Sequence, residues 1–352
     1  MNSDPRLEAA ATRCRGGGKI LVTRLRFIGD VVLSLPLVQV LRRAFPTAEL
    51  HYLAEPGPLE ILRAHPDVDR LWCVERTLRS NLHVAARLRE ERFDVVIDLL
   101  ANPRSALLTW ATRAPLRIGE ARRHRRHLYT HARRLPLGRS ALSQHLDAAA
   151  LLGVGPLVPE RPRMVLTPAE TAGPASELAR IAAGRKTVFM HWTATQPAKE
   201  WPQASCAALA RRLQAHGLHV VVSTAPQGRE RSAALVKAVP GLQELPVLPL
   251  RTLLAWIAAA DATVAVDGGI VHASVGLGRP TLALFGPTVP SIWFPYAPFG
   301  PFRVLHAGLD CSRCDRTQCP TQACMAQLSV EDVESNLLQL VHGVSVAREC
   351  AS

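Results

Sequence analysis

The sequence predicts an α/β protein built from two doubly wound, Rossmann-like domains facing a central cleft. Three observations point to it. From residue 19 onward, short β-branched runs alternate with longer helical stretches, the pattern of parallel strands joined by right-handed crossovers. The alternation stops over 154–175, "VGPLVPERPRMVLTPAETAGPA", where five prolines and no sustained period mark a linker. It restarts at Lys186 and runs through a second half. A chain of 352 residues has room for two domains of ordinary size. The expected division is a flexible extension over 1–18, a first domain over 19–160, a linker over 161–175, a second domain over 176–330, and a last helix with its tail over 331–352.

Each element follows from its own residues. "KILVTRL" (19–25) is a buried-type strand, and Leu33 to Phe45 has helical spacing and stops before Pro46. "AELHYLAEP" (48–56) reads as the next strand. The charged helix "HVAARLREER" (83–92) leads into the strand "FDVVIDLLA" (93–101). In the second half, "KTVFMHW" (186–192), "HVVVS" (219–223), "ATVAVD" (262–267) and "PTLALFG" (280–286) are strands. Helices run through "ASCAALARRLQAHG" (204–217), "GRERSAALVKAV" (228–239) and "LRTLLAWIAAA" (250–260). Open parallel sheets bind ligands beyond the carboxyl ends of their strands, so function is sought there.

Composition narrows the partners. Apolar residues make up 48% of the chain, which argues against disorder, and 42 Lys plus Arg against 29 Asp plus Glu leave a net charge of +13. That excess points to anionic partners. No apolar run reaches the ~18 residues of a spanning helix. The stretch "MNSDPRLEAAATRCRGGGK" lacks the apolar core of a signal peptide and reads as a frayed extension with "GGG" as a hinge. The expectation is a cytoplasmic protein with reduced cysteines.

Five stretches carry chemistry. In "RLRFIGDVVLSLP" (24–36), Asp30 stands where many α/β enzymes keep a glycine-rich phosphate loop. An acid there repels phosphate, and on its own it reads as a helix cap. In "HWTATQPAKEWP" (191–202), Thr193, Thr195 and Lys199 suit a diphosphate whose charge grows as a bond breaks, although an ordinary loop with a solvated lysine has the same look. In "AVDGGIVHASVGLGRP" (265–280), a strand ends at Asp267, and Gly268 and Gly269 leave backbone N–H groups open at a helix start. Asp267 serves equally as a cap, and His272 alone reads as a structural histidine before a catalyst. Neither this stretch nor "GGGK" (16–19) is a dinucleotide or Walker fingerprint, which disfavours an oxidoreductase.

The stretch "RAPLRIGEARRHRRHLYTHARR" (113–134) holds eight Arg and three His against Glu120, and Arg122, Arg123, Arg125 and Arg126 are its densest part. Arginine suits phosphates and carboxylates through bidentate hydrogen bonds. Nucleic acid, an anionic acceptor and an acidic membrane surface all fit, with only Tyr129 as an interleaved aromatic. Finally, Cys311, Cys314, Cys319 and Cys324 have a C-x2-C-x4-C-x4-C spacing, which a structural zinc and four free thiols explain equally.

Taken together, "FIGDVVLSLP", "QPAKEWP", "VDGGIVHASVGLGRPTLALFGPT" and "CPTQACMAQLSVEDV" resemble glycosyltransferase family 9, the ADP-heptose:lipopolysaccharide heptosyltransferases of Gram-negative bacteria, in colinear order over 19–340. The resemblance implies a GT-B architecture whose N-terminal half holds the acceptor and whose C-terminal half holds the nucleotide sugar. It implies that the last helix, "VEDVESNLLQLVHGV", crosses back. It makes Asp30 the general base and Lys199, with Thr193, the contact of the donor diphosphate. Asp267, Gly269 and His272 match its D-[ST]-G-x-x-H donor motif, with Gly268 where a hydroxyl is usual, and Glu230 aligns with a carboxylate that grips the ribose.

The implied activity is inverting transfer of heptose from ADP-heptose to the lipopolysaccharide inner core, with no catalytic cofactor. The four Arg residues would meet the anionic acceptor. The expected protein is a monomer in peripheral contact with the cytoplasmic face of the inner membrane, and no nucleic acid is expected. The alternatives are a family member using another sugar or acceptor, and a nucleic-acid-binding protein using the Arg-rich segment.

Overall fold

In the computed structural model, which describes residues 4–225, 228–309, 311 and 314–343, the alternation becomes two six-stranded sheets. The first contains β1 (Lys19–Thr23), β2 (Glu49–Ala54), β3 (Arg70–Cys73), β4 (Val95–Asp98), β5 (Leu116–Glu120) and β6 (His131–Arg133), in the order β3-β2-β1-β4-β5-β6. The second contains β7 (Thr187–His191), β8 (His219–Ser223), β9 (Gln243–Glu244), β10 (Ala262–Val266), β11 (Thr281–Phe285) and β12 (Phe302–His306), in the order β12-β11-β10-β7-β8-β9. All pairings are parallel. The central strands are buried almost end to end, as expected of parallel sheets covered by helices on both faces. Both sheets reverse strand order once, between β1 and β4 and between β7 and β10.

The chain divides between Val165 and Leu166. Each unit has its own core. In the first, Leu21, Leu53 and Val96 from the sheet pack with Val84, Leu88 and Leu108 from helices. In the second, Val188, Val220 and Val264 pack with Leu209, Leu213 and Leu337. Buried Trp201 is fixed in this core by its indole N–H, which donates to the Leu328 carbonyl at 3.2 Å.

Four expectations are corrected. The described part of the 1–18 stretch is not a frayed extension: Pro5–Arg15 is a helix, started by proline and by the Asp4 carboxylate on the Arg6 N–H (2.9 Å), while residues 1–3 lie outside the described residues. Its small residues Ala10, Ala11 and Cys14 are buried, so the alanine run that looked featureless is a packing face. The linker ends before 175, because the helix Pro168–Ala182 begins inside it with Thr167 and Glu170 capping each other. Its Pro168 occupies the first turn, where a missing N–H is harmless. The helix Ile28–Ala44 starts earlier than Leu33 because Asp30 closes its first turn onto the Phe27 N–H. The last helix, Val330–His342, does not leave its unit: Val333, Leu337, Leu340 and Val341 face the second core. That apolar stripe packs on the helix Gln203–Ala215 and on β10 and β11. Residues 344–352 of the expected tail lie outside the described residues.

The start of the second unit carries a pH dependence. Arg251 donates twice to Glu170, at 2.7 and 2.5 Å, and this pairing holds the carboxyl down at about 2, from an ordinary 4.5. A depressed folded-state value means stability that is present above about 4.5 and lost as pH falls toward about 2. The wild-type Tm should therefore drop through that window by a component that Glu170→Gln lacks, read by thermal unfolding across an acid series.

Candidate functional site

In the second unit, the loop after β7 meets the loop after β10 where strand order reverses, the place where a parallel sheet leaves room for a ligand. The first loop is held rigidly. Thr193 is buried, and its hydroxyl accepts from the Ala225 N–H at 2.9 Å. Buried Glu200 accepts from the Ala194 N–H at 3.1 Å and from both terminal nitrogens of Arg231, one of them at 3.0 Å. The Arg231 guanidinium lies 5.5 Å from the Trp192 ring centre. These anchors present Lys199, at the end of a 3-10 turn, with Nζ 2.6 Å from Asp267 Oδ2. Thr288 donates to the same oxygen at 2.6 Å, and Asp267 is only 4% exposed. An ammonium has three N–H donors, so Asp267 aligns Lys199 and leaves donors for an anion.

Beside this pair, the helix Gly269–Gly276 begins at Gly268. Its first-turn N–H groups have no partner within the helix, and the dipole there favours negative charge. Gly268 has φ 174, and an added Cβ would meet only the Val266 carbonyl, at 3.8 Å, so nothing steric demands glycine. His272 faces inward: its Nδ1 is 2.9 Å from the Tyr296 hydroxyl and the rings meet edge to face at 5.7 Å. Thr195 and Glu230 are exposed, on the loop after β7 and in the first turn of the helix Arg229–Ala238.

In the first unit, Arg24 spans the corresponding reversal. Its guanidinium donates to the Leu99 carbonyl beyond β4 and to Asp30 Oδ1, each at 2.5 Å. Asp30 Oδ2 accepts from the Phe27 N–H at 3.1 Å. Asp30 thus has a structural role, and its side chain, 13% exposed, keeps unused lone pairs on both oxygens. Below the pair, His145 is buried against the Leu33 carbonyl at 3.2 Å, and burial followed by the Arg24 charge pushes it down to about 3, so it is neutral near pH 7. Around the same edge, Tyr129 donates to buried Asp98 at 2.8 Å, and Gly119 lies so close under the Tyr129 ring that an added Cβ would fall 2.3 Å from it. The arginine loop hangs from this base. Arg125 is tied to the Ala101 carbonyl at 3.1 Å, Arg122 pairs with Glu120 at 2.8 Å, and Arg122, Arg123 and Arg126 are exposed.

The cysteine quartet is not assembled. Cys311 and Cys314 are exposed and Cys324 is buried against Gly286, all as free thiols. Among the described residues no three of these sulfurs lie within 4.8 Å of one another, as a tetrahedral zinc requires. Glu49, His51 and Glu91 do come together, but they surround Lys19, whose Nζ is 3.2 and 2.8 Å from the two glutamates. The Trp72 indole donates to His51 Nδ1 at 3.0 Å, so the other ring nitrogen carries the proton and gives it to Glu49. That is an ion-pair network, and its histidine nitrogen is not free for a metal.

Sequence reasoning singled out Asp30, Lys199 and Asp267 but not the partners that position them: Arg24, Glu200, Arg231 and Thr288. Arg24 and Glu200 were within reach, since each flanks a chosen residue in its own motif.

Residues 82–324 match the model of glycosyltransferase family 9 (heptosyltransferase). The chain belongs to glycosyltransferase family 9. It is 31% identical over 330 residues to lipopolysaccharide heptosyltransferase 1 of Pseudomonas aeruginosa, covering 86% of this chain and 88% of that one. It is 26% identical over 292 residues to lipopolysaccharide heptosyltransferase 3 of Escherichia coli, covering 78% and 85%. Its fold is similar to that of the E. coli ADP-heptose lipopolysaccharide heptosyltransferase II, with a TM-score of 0.78 at 22% identity over 92% and 99% of the two chains. This family 9 protein is a nucleotide-sugar-dependent glycosyltransferase with the α/β GT-B fold.

The Lys199–Asp267 pair makes a specific expectation. Lys199→Ala leaves Asp267 buried with the Thr288 hydroxyl, and breaking a buried pair costs ~3–5 kcal/mol. Lys199 is 17% exposed, so the loss belongs at the lower end. Adding Asp267→Asn removes the stranded charge and should restore most of the Tm, while kcat stays roughly tenfold or more below wild type. Wild-type kcat in the double variant would confine the pair to folding.

Proposed function

We propose that this protein transfers heptose from ADP-heptose onto the inner core of lipopolysaccharide, with inversion at the anomeric carbon and no catalytic cofactor. The observation that carries the reading is the Lys199–Asp267 pair beside the Gly268–Gly269 helix start at a strand-order reversal. An ammonium and a row of main-chain N–H groups suit a departing diphosphate, whose charge rises as the C–O bond to the sugar breaks. The relatives' names supply the sugar and the acceptor.

The roles follow from chemistry. A sugar hydroxyl attacks only when its proton has an acceptor, and Asp30, beyond the first strand of the acceptor-binding half, takes it. Arg24 fixes the rotamer of that carboxylate. Arg122, Arg123 and Arg126, with Arg125 as the tethered member, meet phosphates and carboxylates of the core. Thr193 holds the donor loop, Thr195 and Glu230 stand by it for the nucleoside, and His272 supports the helix from behind. The protein works in peripheral contact with the cytoplasmic face of the inner membrane. Support comes from the net charge of +13 and from the described residues, none of whose helices is long and apolar enough to cross a membrane.

Two measurements test this. ADP-heptose at 100 times its Kd should add ~2.7 kcal/mol of stability, with ADP also stabilising and UDP or GDP sugars not; the reverse pattern overturns the donor. Asp30→Asn can still accept from the Phe27 N–H but neither pairs with Arg24 nor takes a proton. Turnover per folded molecule should fall by ~10²–10⁴ with the ADP-induced shift kept, and retention of more than about a tenth of turnover rules out a general base.

A further inference from the structure

The helix Pro103–Ala111 of the first unit buries two hydroxyls beside Ala106 and Leu108 while leaving a leucine and a tryptophan in solvent. Ser105 and Thr109 are buried, at 0% and 1% exposure, while Leu107 and Trp110 are 56% and 52% exposed. Ser105 faces inward because it exchanges hydrogen bonds with Asn102 at the helix start, at 3.1 and 2.8 Å. Thr109 has no such reason, and its hydroxyl has no partner. Pro103, Leu107 and Trp110 recur at helical spacing, so the exposed stripe of this helix is wholly apolar.

A second stripe lies alongside. The helix Leu78–Glu90 packs against Pro103–Ala111, and Arg104 joins them through the Asn81 side chain at 2.7 Å. On it Leu78 and Leu82, one turn apart, are 75% and 64% exposed. Four large exposed apolar side chains on two packed helices exceed the scattered single residues of an ordinary surface.

The charge around the stripes is basic. Arg79 and Arg89 are exposed on one helix and Arg113 follows the other. Two exposed acids flank the first helix, Glu75 before Leu78 and Glu90 at 3.4 Å from Arg87, and they are outnumbered by the exposed arginines Arg76, Arg79, Arg87 and Arg89. At the far ends of the helices, Arg89, Arg92 and Arg113 line an open recess of about 300 Å³. Its one acid, Asp94, is already engaged by Arg13 at 2.6 Å and by the Lys19 N–H at 3.0 Å, so the recess presents positive charge.

We infer that these two helices form the membrane-docking face, lying on a bilayer of anionic phospholipid with the leucines and tryptophan in the acyl boundary and the recess on a phosphate headgroup. This deepens the peripheral contact proposed above by naming its surface. Tryptophan and leucine on one face with arginine beside them is the arrangement of an interfacial helix. A second copy of the chain is the poorer occupant, because pairing the face with itself brings like charges together. The face also adjoins the site. Pro103–Ala111 begins just past Ala101, whose carbonyl holds Arg125 of the acceptor loop. A lipid-anchored acceptor is thereby delivered at the flank of the edge carrying Asp30.

The test uses the full chain and co-sedimentation with phosphatidylethanolamine–phosphatidylglycerol vesicles, against phosphatidylcholine vesicles. Wild type should bind the anionic vesicles, and added salt should weaken binding. The paired variant Leu107→Ser/Trp110→Ser should lose about tenfold or more of its partition, and Arg89→Gln/Arg113→Gln should lower both partition and salt sensitivity. The pair Leu78→Ser/Leu82→Ser gives an independent reading should the first pair fold poorly, as thermal unfolding reports. Unchanged partition in both serine variants overturns the proposal. So does a wild-type dimer, seen by light scattering, that the serine variants dissociate without any vesicle binding. The ADP-induced melting shift should be unchanged in every variant; its absence in wild type would sink the functional reading while leaving vesicle binding to be judged alone.

Discussion

A parallel sheet that reverses strand order opens a gap at its carboxyl edge, and in each unit one cation spans that gap. In the second unit Lys199, from the loop after β7, reaches Asp267 at the end of β10. In the first, Arg24, just past β1, reaches the Leu99 carbonyl beyond β4 and turns its other nitrogen to Asp30. Remaining features of both sites are arranged around these two contacts. Glu200, Arg231 and Thr193 hold the lysine loop, Thr288 completes the Asp267 carboxylate, and the neutral His145 lies beneath Arg24 without adding a second positive charge.

The two cations differ in kind, and the difference matches the tasks proposed for them. Arginine is planar and is held here by two fixed acceptors, so the Asp30 carboxylate is locked in one orientation. Lysine is a point charge with rotatable donors, bound to one acid, and can share itself with an incoming anion. Buried ion pairs add little net stability, because desolvation offsets most of their attraction. Stability is therefore a weak account of why Lys199 and Asp267 are buried together. On the proposed function, an ammonium held where a diphosphate gains charge accounts for it better.

Much of this was legible in the sequence. The strand–helix alternation gave the two sheets, and strand-end motifs marked Asp30, Lys199 and Asp267. What failed did so for identifiable physical reasons. Edge strands such as β6 ("HAR") and β9 ("QE") are short and polar, since an edge strand needs no continuous apolar run. The helix Pro5–Arg15 buries alanines and a cysteine, which carry a weak periodic signal. Pairings between different strand ends are encoded by no local pattern; Lys199 with Asp267, across the reversal, and Glu200 with Arg231, between the ends of β7 and β8, are of this type. The cysteine spacing left zinc and free thiols open because it fixes sequence distance only, while Cys324 is drawn into the core beside Met325 and Gly286.

The donor motif repays a final step. Its three parts do three different things: Asp267 sets the lysine, Gly268 and Gly269 open the helix start, and His272 is buried against Tyr296. A hydroxyl at 268 would find room, so its absence is not forced by packing. On the proposed reading, the diphosphate is then held by main-chain N–H groups and one ammonium. Such a set addresses only the phosphates, which every nucleoside diphosphate shares. Discrimination among nucleotide sugars must come from side chains that line the same edge without binding phosphate. Thr195 and Glu230, exposed on the loop after β7 and the helix start after β8, are the described polar side chains so placed among those the sequence singled out.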